Sequence, residues 1–124
     1  MKIELVQKTL AGQESAAYIS CLPGEGQVSG EQEALELVGA CGENGTRLLL
    51  LQEGALSEDF FRLRTGVAGA VMLKFSTYRL RVAAVISPEW VRRGKFEDMV
   101  LETNRGDQFR VFSTPEQAEA WLLS

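Results

Sequence analysis

Residues 80–86 read LRVAAVI and residues 48–51 read LLLL. Neither run alternates. A strand with one wet face alternates apolar and polar side chains, so a continuous apolar run needs cover on both faces. Two such runs mark central strands of a parallel sheet, and parallel neighbours need a crossover between them. The intervening chain supplies it. Ser57, Glu58 and Asp59 open a helix, with the serine as cap and the acids favourable at the positive end of the helix dipole. Thr65-Gly66 marks a break and restart. Val67, Val71, Phe75 and Tyr78 then form one apolar stripe, with the small residues Gly66, Gly69 and Ala70 and with Leu73 in a second stripe beside it. A helix apolar on two faces is deeply buried or meets another subunit, so Val67, Val71, Phe75 and Tyr78 are the candidate interface.

The flanking segments extend the same pattern. Lys2 to Lys8 begins by alternating, Ala11, Gly12 and Gln13 can turn the chain, and Glu14 to Ser20 gives a second strand of an antiparallel hairpin. After the loop from Pro23 to Gly30, Ser29 and Gln32 read as a capping box for a helix with Ala34, Leu37, Val38 and Cys41 on its buried stripe. Gly42, Asn44 and Gly45 end it. Ser87-Pro88 starts another helical region, in which Phe96, Met99, Val100 and Thr103 face inward until Gly106. Gln108 to Phe112 is a short strand, and Thr114, Pro115 and Gln117 cap a last helix that buries Ala118, Trp121 and Leu122.

The order is β-β-α-β-α-β-α-β-α. It predicts one α/β domain over residues 1–124, built on a mixed, mostly parallel five-stranded sheet. At 45% apolar and 24% charged residues, the composition is that of an ordinary globular domain.

Charge and residue types narrow the function. The chain has no histidine and a net charge of −4. Imidazole-dependent catalysis is excluded, and the overall sign is wrong for a nucleic-acid binder. Residues 1–60 carry ten acidic and three basic side chains, residues 61–124 seven and ten. The halves therefore attract each other, or the second half holds an anion site. Two cysteines, Cys21 and Cys41, stand 20 positions apart without metal-binding spacing. They read as reduced thiols, Cys41 in the core and Cys21 at a strand end with access to solvent. No metal and no cofactor is expected. The first residues lack the apolar run of a signal peptide and no stretch is long enough to span a membrane, so the expected location is cytoplasmic.

In open α/β sheets ligands bind at the carboxyl ends of the parallel strands. The segments 52–59 and 87–95 leave those ends. Ser57, Arg62, Arg64, Thr65 and Gly66, with Arg92, Arg93 and Lys95 nearby, form the candidate site for an anion or a phosphoryl switch, since helix amides and arginines suit a carboxylate or phosphate. The Asn104-Arg105-Gly106 turn reads as a helix exit at the other end of the sheet. Trp90 reads as core or as a surface anchor for a partner.

SEDFFRLRTGVAGAVMLKFSTYRLRVAAVI (57–86) and the later stretch ETNRGDQFRVFST strongly resemble a small bacterial family, domain of unknown function 4180. That resemblance implies no activity. More distantly, the element order looks like the STAS fold of anti-sigma-factor antagonists and of small SpoIIAA-like proteins. STAS regulators are switched by phosphorylation where the helix after a polar loop begins. The comparable positions here are Ser57 and Thr65, although the aspartate-serine-serine-glycine run of those regulators is absent. Taken together, the sequence leads to a non-enzymatic bacterial regulatory or protein-interaction module with a protein partner or a homodimer, and without nucleic acid or membrane. The alternative is a domain that binds a small molecule or anion through its strand-end loops.

Overall fold

The apolar runs form the middle of the sheet. In the computed structural model, which describes residues 1–12 and 14–124, the strands are β1 (Lys2–Thr9), β2 (Ser15–Leu22), β3 (Leu48–Leu51), β4 (Arg81–Val85) and β5 (Phe109–Phe112). They lie in the order β1-β2-β3-β4-β5, the first pair antiparallel and the rest parallel. This is the expected mixed α/β sheet. Gln13, assigned to the hairpin turn above, lies outside the described residues.

The helices are α1 (Glu31–Glu43), α2 (Glu58–Phe61), α3 (Val67–Thr77), α4 (Pro88–Val91), α5 (Lys95–Thr103) and α6 (Pro115–Leu122), with a 3-10 turn at Leu63–Thr65. Parallel crossovers are right-handed as a rule, so strands that advance stepwise across a sheet place their connecting helices on one face. The packing follows this. Ile19, Leu49, Leu51, Val82 and Ala84 share a core with Leu37 of α1, Val71 and Phe75 of α3, and Phe96 and Val100 of α5. The alternate strand residues Tyr18, Leu50, Ala83 and Val85 turn the other way, onto Ala118 and Leu122 of α6. LLLL and LRVAAVI therefore do not alternate because both of their faces are covered.

Local signals hold with small shifts. Gly66 takes φ 78° and separates the 3-10 turn from α3, as Thr65-Gly66 predicted. Thr114 accepts a hydrogen bond from the Gln117 amide at 3.2 Å and caps α6. The box assigned to Ser29 and Gln32 is instead built on Glu33. Its carboxylate accepts from the Ser29 hydroxyl at 2.8 Å and the Ser29 amide at 3.1 Å. The helix starts one residue later than expected, with Gly30 at the cap position, so the reciprocal partner moves by one. The Ser29 hydroxyl holds the Glu33 carboxyl below the usual carboxylate range. Cys21, expected to reach solvent, is fully buried. It shares its core with Ile19, Val28 and Leu51, and burial pushes its thiol up to about 11.

The α3 stripe closes the core of this chain itself. Val71 and Phe75 are buried against the sheet and α1, Val67 is half-buried, and Tyr78 is 50% exposed. Of the four residues named as an interface, Tyr78 is the one that α3 leaves open to solvent, together with its neighbour Leu73 at 66%.

Candidate functional site

Beyond the carboxyl ends of β3 and β4 lies a cavity of about 310 Å³. Its floor is apolar: Leu56, Val85 and Ile86 are buried at 5%, 3% and 3% exposure. Its polar groups come from the segments that leave the strands, with Gln52, Glu53 and Gly54 after β3 and Ser87 after β4. Phe61 and Trp90 form an aromatic wall, their rings stacked at 25° with centroids 4.6 Å apart. Glu58 completes the rim.

This geometry is held from beneath. Gln52 donates its backbone N–H to the Cys21 carbonyl at 2.9 Å and its side-chain amide to Ser20 Oγ at 3.1 Å. Gln27, from the loop before α1, donates to the carbonyl oxygens of Gly54 and Leu56 at 2.7 and 3.3 Å. Val28 exchanges backbone hydrogen bonds with Ala55 and Ser57, so the two loops run as a short parallel pair. Gly54 turns the chain at φ 86°, and a Cβ there would meet Pro23 Cγ at 3.4 Å. A side chain at that position would be strained by its backbone conformation.

The residues expected to hold an anion are placed around this cavity, not in it. No arginine or lysine among the described residues lines it. Arg62 pairs with Glu58 at 3.5 Å, both side chains exposed. The Arg93 guanidinium lies 4.0 Å from the centroid of the Trp90 ring. Arg92 belongs to a separate shallow cavity with Pro88, Val91 and Asn104. Arg64 and Lys95 are exposed.

Ser57 does not cap α2 as expected. Its carbonyl accepts from the Phe60 amide at 3.1 Å, while its Oγ is buried without a hydrogen-bond partner among the described residues. Thr65 is exposed, yet its hydroxyl is engaged. It lies 2.7 Å from the Asp59 carbonyl and 2.8 Å from that of Arg62, donates to one of these, and accepts from the Val67 amide at 3.2 Å. It ties α2, the 3-10 turn and α3 together across Gly66.

Gln27 and Phe61 escaped the sequence reading as site residues. Gln27 lies in a glycine-rich loop with no periodic signal, and it reaches the site through a tertiary contact. Phe61 reads as one of two adjacent phenylalanines in a helix start. Only the pairing of its short helix with α4 reveals that Phe60 goes into the core and Phe61 into the wall. The titratable groups whose proton affinity the fold shifts, Tyr18, Glu33 and the two thiols, lie outside the cavity. Among the described residues no group of three His, Cys, Asp or Glu side chains is placed to hold a metal ion.

The fold and site thus define an α/β domain with a small polar-rimmed cavity at its strand ends. Residues 13–122 match the model of a domain of unknown function, DUF4180, and the chain belongs to that family. No curated protein and no solved structure matches it. Among the described residues no helix is long and apolar enough to cross a membrane.

Proposed function

We propose that this chain is a non-enzymatic binding module that takes a small ligand in the cavity at the ends of β3 and β4, and that its regulatory role follows from that ligand. One observation carries the reading: the cavity combines an apolar floor and a stacked aromatic wall with carboxylates at the rim and, among the described residues, no basic lining residue. At about 310 Å³ it is at the small end of ligand sites, sized for one ring with a short polar arm. Two carboxylates repel an anion and attract an ammonium group, and an aromatic face adds to that attraction. The favoured ligand is an amine with an aromatic or aliphatic body. This turns the charge preference around from the anion considered in the sequence.

A phosphoryl switch is supported less well. A phosphate on Thr65 would remove the hydroxyl hydrogen that serves the Asp59 or Arg62 carbonyl, and Ser57 Oγ is buried. Modification at either place would disturb the local fold before it met a partner.

Benzylamine and benzoate, added separately to the labelled protein, test the proposal. Benzylamine is expected to shift the amide resonances of Gln52, Gly54 and Ser87 and to quench Trp90 fluorescence in a Trp121→Phe background, while benzoate leaves them unchanged. If neither compound moves those resonances, the ligand reading fails and a protein-interaction module is the stronger reading.

A further inference from the structure

The two edges of the sheet are finished differently. At the β5 edge the chain closes its own backbone: Asn104 Oδ1 accepts from the Val111 amide at 2.8 Å, and its Nδ2 donates to the Val111 carbonyl at 3.2 Å. Thr103 Oγ1 donates to the Phe109 carbonyl at 2.8 Å. The carboxamide of Asn104 thus stands where a sixth strand would pair. The β1 edge has no such closure among the described residues. It is eight residues long and without proline, bulge or covering helix. Long open edges of this kind template pairing with another strand.

Which backbone groups are free follows from the hairpin register. Leu10 donates to the Glu14 carbonyl, and the strands pair residues whose numbers have that same sum, Lys2 with Leu22 through Thr9 with Ser15. The even residues of β1 therefore exchange hydrogen bonds with β2. The carbonyls of Ala17 and Cys21 agree, since they turn the other way, to Thr46 and Gln52. Ile3, Leu5, Gln7 and Thr9 consequently point their N–H and C=O groups outward. Ile3 and Leu5 also leave apolar side chains 39% and 44% exposed.

We infer that β1 pairs antiparallel with β1 of a second copy of this chain, across a two-fold axis at Val6, to make one continuous sheet. Charge decides both the occupant and the register. With Val6 opposite its own copy, Glu4 faces the partner copy's lysine at position 8, and Lys8 faces the glutamate at position 4. The outward residues Ile3, Leu5, Gln7 and Thr9 fall on hydrogen-bonded positions. Centring the axis on Leu5 would oppose Lys2 to Lys8, and centring it on Glu4 would oppose two glutamates. An axis at Ile3 also matches charges but engages only the first few residues. Even-numbered pairs across this new junction are the non-hydrogen-bonded ones, where side chains come closest, so Glu4 and Lys8 are well placed to interact.

Sedimentation equilibrium and amide hydrogen exchange on the full chain test this. A dimer is expected, with the amides of Ile3, Leu5, Gln7 and Thr9 protected at high concentration and exchanging freely on dilution, while those of Val6 and Lys8 stay protected throughout. Glu4→Lys and Lys8→Glu should each weaken the dimer about tenfold, and the two together should restore it. Leu5→Pro removes an outward N–H only and should yield a folded monomer. Within the chain Glu4 also lies 3.3 Å from Lys2 and Lys8 3.7 Å from Glu119, so the melting temperature of each charge variant at low concentration separates a local effect from a lost dimer. Should that proline prevent folding, the two charge variants still decide the matter. A chain that stays monomeric at millimolar concentration overturns the inference, whether or not the edge accepts an extended segment of another protein. A dimer indifferent to both charge variants, or lacking protection at the odd-numbered amides, also overturns it.

Discussion

The Arg81 guanidinium lies 3.8 Å from the centroid of the Trp121 ring, and its Nη2 donates to the Trp121 carbonyl at 2.7 Å. Arg81 is the first residue of β4 and Trp121 lies in the last turn of α6, so one side chain fastens the helix that covers the second face to a central strand. Arg110 approaches the same ring from β5, at 5.2 Å. Tyr18 and Lys8 hold the helix from the hairpin side through Glu119.

Arg81→Lys should therefore be costly despite its kept charge. A lysine cannot lie flat on the indole while donating to the Trp121 carbonyl and Ser124 Oγ. The expected loss is about 1 kcal/mol, read as a fall of about 4 °C in melting temperature. An unchanged melting temperature would show that α6 is held without the Arg81–Trp121 contact.

Ser57 and Thr65 look alike in sequence, both hydroxyls at a helix start, and the structure separates them. Ser57→Ala removes a buried oxygen without a partner among the described residues and should leave stability within about 0.5 kcal/mol or raise it. Thr65→Ala loses both a donor and an acceptor at the α2–α3 junction and should cost about 1 kcal/mol. Urea denaturation of the two variants beside the parent chain measures the contrast.

The difference shows what sequence can carry. Local rules placed the strands because LLLL and LRVAAVI state their own burial, and they placed the α3 break because glycine alone tolerates the conformation of Gly66 well. They also led to the end of the sheet where the cavity lies, since strand ends follow from order. They did not show which side chains line that cavity. Seven residues within reach in sequence were basic or hydroxylic, but Arg62 turns to Glu58 and Arg93 to Trp90. Those side chains are settled by neighbours one helical turn away or across a short helix, and the polar residues next to the strands, Gln52, Glu53 and Ser87, take the cavity. Cys21 was misjudged for a related reason: a strand end beside Pro23 reads as a rim, and the core it joins includes Val28, from a loop that carries no regular pattern.

The buried thiols give the stability a defined alkaline limit. Burial raises Cys21 and Cys41 from their ordinary 9.0 to about 11 each. Below pH 9 both states keep the protons and the thiols contribute nothing to the pH dependence. As pH rises from about 9 to about 11 the unfolded chain releases protons that the folded chain retains, so folding weakens by on the order of 2 kcal/mol per thiol. Tyr18, raised by burial and by its bond to Glu119, adds to the same trend. Chemical denaturation at pH 8 and about pH 10.5 should show the drop, and the Cys21→Ala, Cys41→Ala double variant should show less of it.

The rim carboxylates are not equivalent, and this gives the sharpest test of the ligand's charge. Glu58 is engaged by Arg62 at 3.5 Å, whereas Glu53 has no ion-pair partner among the described residues. A bound ammonium group would thus depend mainly on Glu53. Glu53→Gln keeps the shape and removes the charge, and should weaken benzylamine binding about threefold to fivefold, with the difference shrinking at high salt. Glu58→Gln should have a smaller effect, because Arg62 already offsets that charge. Arg62→Gln should strengthen benzylamine binding, since it releases Glu58 toward the cavity. Titrations followed through the Gln52 and Ser87 amides compare the three variants at low and high salt. Equal affinity in all three would mean that the aromatic wall alone holds the ligand and that the carboxylates do not select its charge.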